Sequence, residues 1–213
     1  MEYSNVITGN LEESKLESCL DENIVDYLND ILVNKLEDKK SDYWTDNLTD
    51  HRVRISQKKN LTTQKIINIV KPLFENAGLI VNTDNGYIDY ESYTYNSQKY
   101  VDTPYDISAE KSEYYSEEFS NVNVCYIVTR KDENLKGGNI HLYEEYPSFL
   151  QVIGYEKENF LEIKLKKGCA YIFSGDAYTK LQGCSGSGVF SFIRVTLYSE
   201  KRFGYQNDND DDE

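Results

Sequence analysis

The chain has 213 residues, 39% of them hydrophobic and 13% aromatic, which is material enough to bury a core without staples. Its formal net charge of −14 gives a surface that repels phosphate backbones and anionic membranes, so neither nucleic acid nor a membrane is expected as a partner. Four cysteines, none in a C-x-x-C pair, and no basic-then-apolar run in Met1 to Asn10 argue against a disulfide framework and a secretory leader. The expected setting is reducing, cytoplasmic or otherwise intracellular.

Residues 1–17 are polar and are expected to be a flexible N-terminus. A helix follows, because Leu20, Ile24, Val25, Leu28, Ile31, Leu32 and Leu36 recur at steps that draw one apolar stripe. Ser18 followed by Asp21 predicts its capping box. Residues 41–60 read as a polar loop or short strand around Trp44. A second helix fits 63–77, capped by Thr62 or Thr63 and ended by Gly78, with Pro72 as a kink or break.

Past Gly86 the period shortens to two. Residues 87–95 are tyrosine-rich, and Val122 to Thr129 is an apolar run suited to a strand buried on both faces. Asn139 to Tyr143 is a short strand after Gly137-Gly138. Leu161, Ile163 and Leu165 alternate with Glu162, Lys164 and Lys166. Lys167-Gly168 turns the chain into Cys169 to Phe173, and Val189 to Tyr198 is the last strand. Helices first and many short strands after predict an α+β fold with a sandwich or barrel. The domain reading is one unit over 18–203, with helices over 18–80 and a barrel over 85–203. An acidic tail over 204–213 is expected to be disordered; Asn207 to Glu213 alone carries five negative charges.

Three segments carry a resemblance. Val124-Cys125-Tyr126-Ile127-Val128, followed by Leu135-Lys136-Gly137-Gly138-Asn139-Ile140-His141-Leu142-Tyr143, looks like a "YLN…GGxLxxY" hairpin. Ile163 to Phe173 looks like an "xPxxGxxxxF" turn and strand. Gly188-Val189-Phe190-Ser191-Phe192 stands where "GxRxS" would. In this order and spacing they resemble the prolyl-hydroxylase-like branch of the iron/2-oxoglutarate dioxygenases. That resemblance implies a double-stranded β-helix, a jelly-roll barrel supported by the N-terminal helices. It also implies iron held by two histidines and a carboxylate, with an arginine clamping 2-oxoglutarate.

The residues at the implied site positions are of other types. Pro104 stands where the first histidine of H-x-D would, with Asp106 as the remaining carboxylate. Tyr178 stands at the second histidine and Phe190 at the arginine. The chain has two histidines, His51 and His141, and none follows His141, so no register shift supplies the distal ligand. The expectation is a non-catalytic, degenerate oxygenase (a pseudoenzyme) with no cofactor and no metal. It would act through a protein partner or as a homo-oligomer, as a binding, assembly or structural module. The alternative is an active dioxygenase using iron(II) and 2-oxoglutarate with unusual ligands, Asp106, His141 and Asp176. A third reading is a virion or inclusion structural protein, since abundant Asn, Ile, Lys and Tyr suit an AT-rich genome such as that of a large DNA virus or a protist.

Single residues have plainer readings too. His141 and His51 suit hydrogen-bonded or exposed positions, and Asp106 suits a turn after Pro104. Arg194, four residues beyond Phe190 and so on the same strand face, is a relocated carboxylate clamp or a salt-bridged residue. Gly183 to Gly188 reads as a flexible hairpin connection, with Cys184 lacking a cationic neighbour. Tyr178, Phe190 and Phe192 are expected to face the old pocket and fill it.

Overall fold

The computed structural model describes residues 17–37, 44–49, 52–58, 60–96, 106–107, 121–143, 160–175 and 177–200; for 44–49, 52–58, 85 and 106–107 only the backbone path is described. The expected acidic tail and most of the expected flexible N-terminus lie outside these residues. Glu17 does not belong to a loose segment, because it opens the strand β1 (Glu17–Cys19).

Helix α1 (Glu22–Glu37) buries Val25, Leu28 and Leu32. Its start is organised by Asp21 and not by Ser18: the Asp21 carboxylate accepts from the Asn23 amide at 2.9 Å, and its carbonyl accepts from Ile24 and Val25. Helix α2 (Leu61–Asn76) begins two residues earlier than its apolar stripe suggests. Asn60, in an extended conformation, accepts at its side chain from the Thr62 and Thr63 amides, and the Thr63 hydroxyl accepts from the Asn60 amide. Pro72 lies inside the helix without ending it.

The strands are β2 (Trp44–Thr49), β3 (Arg52–Lys58), β4 (Val81–Asn96), β5 (Asp106–Ile107), β6 (Asn121–Lys131), β7 (Lys136–Gly137), β8 (Ile140–Tyr143), β9 (Leu161–Ile163), β10 (Cys169–Ser174), β11 (Tyr178–Leu181), β12 (Cys184–Ser185) and β13 (Ser187–Ser199). All pairings among the described residues are antiparallel. One sheet runs β1-β10-β6-β13-β4-β3-β2, a second β5-β11-β8-β9, and β12 pairs with β7. Along the chain β4, β6, β10 and β13 join the large sheet, while β5, β8, β9 and β11 join the small one. This alternation between two sheets is the double-stranded β-helix, or jelly roll. Residues 41–60, read as loop or short strand, supply β2 and β3, which extend the large sheet beyond the barrel strands.

Alternation sorts the large sheet into two faces. Ile88, Tyr90, Cys125, Ile127, Ile193, Val195 and Leu197 form one; they are buried and nearly all apolar, and α1 and α2 pack on this sheet. The other face looks toward the small strands: a Cβ placed on Gly138, between β7 and β8, would lie 3.4 Å from the Phe190 ring. Strand β9 is shorter than its alternation predicts. The Tyr171 hydroxyl donates to the Lys164 carbonyl and accepts from the Lys166 amide, so a side chain replaces the ladder there.

Candidate functional site

The barrel interior is lined first by the side chains that β13, β4 and β6 place in register. Phe190 is opposite Tyr93, Phe192 opposite Glu91, and Arg194 opposite both Asp89 and Tyr126. Every one of these residues is buried. Toward one end the rings pack on each other. The centroid of Tyr93 lies 6.3 Å from Phe190 and 6.0 Å from Phe192; Tyr126 lies 5.0 Å from Phe192 and 5.2 Å from Phe173. These separations are those of favourable aromatic pairs.

Further along β13 the interior becomes ionic. Arg194 donates from Nε to Asp89 Oδ2 at 2.7 Å, and a second guanidinium nitrogen contacts the same oxygen. The Tyr93 hydroxyl donates to Glu91 Oε2 at 2.9 Å. Burial works against the charge of Arg194, yet Asp89 above all holds it well above the ordinary arginine range. Arg194 is thus a buried, salt-bridged residue whose fork already faces a carboxylate of its own chain.

At the Phe190 end, Lys131 Nζ lies 5.5 Å from the Phe190 ring centroid and donates to the Leu165 carbonyl at 2.8 Å. Burial pushes its pKa down. Cys184 is fully buried, and burial pushes its thiol up, with Lys131 opposing. The Gly183–Gly188 segment is therefore not an open connection: Cys184 pairs with Gly137 through β12 and β7, and it does have a cationic neighbour.

On the small sheet the pairing separates the sequence candidates. Tyr178 is opposite Tyr143, Thr179 opposite Leu142 and Lys180 opposite His141. Thr179 and Leu181 are the buried positions of β11, while Tyr178 and Lys180 are half-buried. Tyr178 therefore sits on the face opposite the one Thr179 presents with Leu142, which differs from the expectation that it fills the interior with Phe190. A one-residue change of register flips the face of a strand side chain.

His141 also lies on the Tyr178 face. It stacks on Phe160 at 3.9 Å, with Nε2 3.6 Å from Glu162 Oε1. Asp106 pairs by its backbone with Thr179, which in turn pairs with Leu142 and not His141. Pro104, Asp176 and His51 lie outside the described residues, as does the side chain of Asp106. Among the described residues one group of metal-ligating side chains gathers, Glu17, Cys19 and Cys169. It sits on β1 and β10 at the sheet edge, with β10 and β6 standing between β1 and β13. Sequence reasoning missed it because β1 and β10 are far apart in the chain.

The described side chains do not by themselves make up a site for iron with 2-oxoglutarate inside the barrel. The facial triad needs imidazole and carboxylate on one face, and the dicarboxylate needs a free cation. Here the described interior offers phenyl rings, an arginine engaged by Asp89, a lysine, Lys131, bonded to the Leu165 carbonyl, and a histidine on the other face of its strand.

No family model matches the chain, and no curated protein matches it. Solved structures do. The non-heme alpha-ketoglutarate-dependent carbocyclase SnoK from nogalamycin biosynthesis aligns with 89% of this chain and 81% of its own, at TM-score 0.54 and 12% identity. The chain has the jelly-roll fold of the 2-oxoglutarate oxygenases. AviO1 from Streptomyces viridochromogenes Tue57 aligns over 85% of each chain, at TM-score 0.50 and 10% identity. A viral collagen prolyl hydroxylase from Paramecium Bursaria Chlorella virus-1 covers 87% of this chain and 97% of its own, at TM-score 0.46 and 13% identity. Within this oxygenase fold β13 carries Phe190 and Arg194, and β11 carries Tyr178. No helix among the described residues is long and apolar enough to cross a membrane.

Proposed function

We propose that the chain is a non-catalytic protein built on the oxygenase fold, a binding or assembly module that keeps the barrel as a scaffold. The observation that carries this reading is the barrel interior. Phe190, Phe192, Tyr93, Tyr126 and Phe173 pack ring to ring, and Arg194 is committed to Asp89. A dicarboxylate brought there would lie against phenyl faces and would have to displace Asp89 from Arg194 or the Leu165 carbonyl from Lys131 to find a charged donor. The position of His141 on the face of β8 opposite to Leu142, while Asp106 pairs with Thr179 and through it with Leu142, supports the same reading against the set Asp106, His141 and Asp176.

A module without chemistry acts by contact. Tyr27, Val33, Leu61 and Ile80 are exposed apolar side chains, and the chain has 19 tyrosines, a residue type enriched at interfaces. The partner is a protein or a second copy of the chain, in an intracellular setting or a virion. Anaerobic titration with iron(II) and 2-oxoglutarate tests the catalytic half of this reading, and light scattering over a concentration series tests self-association. Turnover of 2-oxoglutarate would end it.

A further inference from the structure

Strand β1 is three residues long and lies at the edge of the large sheet, where β10 is its one partner among the described residues. Cys19 is directly opposite Cys169, and Glu17 opposite Tyr171. The Leu20 amide donates to the Gly168 carbonyl at 2.8 Å, the bond that flanks a non-hydrogen-bonded pair, while the Gly168 amide donates to the Val128 carbonyl. Cys19 and Cys169 are then a non-hydrogen-bonded pair, the register that brings side chains closest. Period two sets Glu17 beside Cys19 on the same face.

The ligand atoms converge. Cys19 Sγ lies 3.5 Å from Cys169 Sγ, and Cys169 Sγ lies 3.5 Å from Glu17 Oε1. All three ligand atoms lie within 4.8 Å of one another. Tetrahedral zinc, with Zn–S of about 2.3 Å and Zn–O of about 2.1 Å, has edges of about 3.8 Å between sulfurs and about 3.6 Å between sulfur and oxygen. The two edges that meet at Cys169 Sγ, both 3.5 Å, are thus already close to those of a tetrahedral face.

We propose that Glu17, Cys19 and Cys169 form a binding site for a soft divalent cation of the zinc class, which pins β1 to β10. Two thiolates favour such an ion over magnesium, calcium or manganese. The fourth corner is left to water. Two thiolates, one carboxylate and a divalent cation sum to one negative charge. Lys166 Nζ, 2.9 and 3.0 Å from the Glu17 oxygens, balances it and orients the carboxylate from outside. Cys169 is buried and Cys19 is exposed, so the ion has a firm wall on one side and an entry on the other. The site is independent of whether the barrel is catalytic.

The test uses the full chain, anaerobic and reduced with a phosphine. Titration with cobalt(II) should give a thiolate-to-cobalt charge-transfer band that saturates at one equivalent and is displaced by zinc(II). Zinc should slow amide exchange at Ser18 and Cys19. Cys19→Ser, at an exposed position, should abolish the band while leaving the melting midpoint in chelator unchanged. Lys166→Ala should weaken zinc binding by about tenfold. Absence of the band, or a band that survives Cys19→Ser, would overturn the assignment. So would a reduced chain that takes no metal while oxidised glutathione links Cys19 to Cys169, since that result makes the pair a redox couple.

Discussion

Removing Arg194 probes the barrel interior most sharply. Its side chain is 5% exposed and that of Asp89 is 0% exposed. At an effective dielectric of about 20, two unit charges roughly 3 Å apart attract by about 5–6 kcal/mol. Taking both ions out of water costs several kcal/mol each, so the intact pair contributes little net stability. Truncating one partner is different, because the other charge remains buried. Arg194→Met should therefore cost about 3–5 kcal/mol, a large share of the 5–15 kcal/mol typical of a domain. The double variant Arg194→Met with Asp89→Leu should recover most of that loss, giving a strong coupling in a double-mutant cycle. The single variant should also become pH-dependent. A buried Asp89 without its guanidinium has a folded-state pKa above its unfolded value. Its native state then holds a proton that the unfolded state has released, so the cost grows as pH rises above the unfolded carboxylate pKa. Urea unfolding at pH 5 and pH 8 reads both effects. A cost below about 1 kcal/mol, as for a solvated pair, would refute the reasoning and reopen the interior to water.

Phe190→Ala should cost about 3–5 kcal/mol by the same assay, because the ring is fully buried among Tyr93 and Phe192. Gly138→Ala should cost about 1–3 kcal/mol in unfolding midpoint. Its φ is +67°, and the added Cβ would meet Cys184 Sγ at 2.7 Å. Asn60→Ala should cost about 1 kcal/mol by thermal unfolding, through loss of the α2 cap. Deleting residues 207–213, polar and charged throughout, should leave the melting midpoint unchanged.

The barrel was legible where burial follows a period. The apolar run of β6 and the alternation in β13 identify their strands, and the step from Phe190 to Arg194 places both on one face. The polar β2 and β3 were not legible, since their backbone pairing to β4 through β3 comes from the sheet and not from their own composition. The partner of Arg194 could not be read either, because Asp89 is 105 residues away. The same holds for Cys19 and Cys169, 150 residues apart. Tyr178 shows a subtler limit. A motif places it at a ligand position, but only the ladder reveals that Thr179 takes the buried face of β11.

The central claim is that the barrel interior is packed core and takes no 2-oxoglutarate. Calorimetric and thermal-shift titration of 2-oxoglutarate in the presence of manganese(II) tests it most directly. The Cys19→Ser chain serves here, so that metal at the sheet edge adds nothing. The account predicts no heat and no change in midpoint that depends on 2-oxoglutarate. A ligand at one hundred times its Kd stabilises the folded state by about 2.7 kcal/mol. A stabilisation of that order, dependent on both metal and 2-oxoglutarate, would contradict the account.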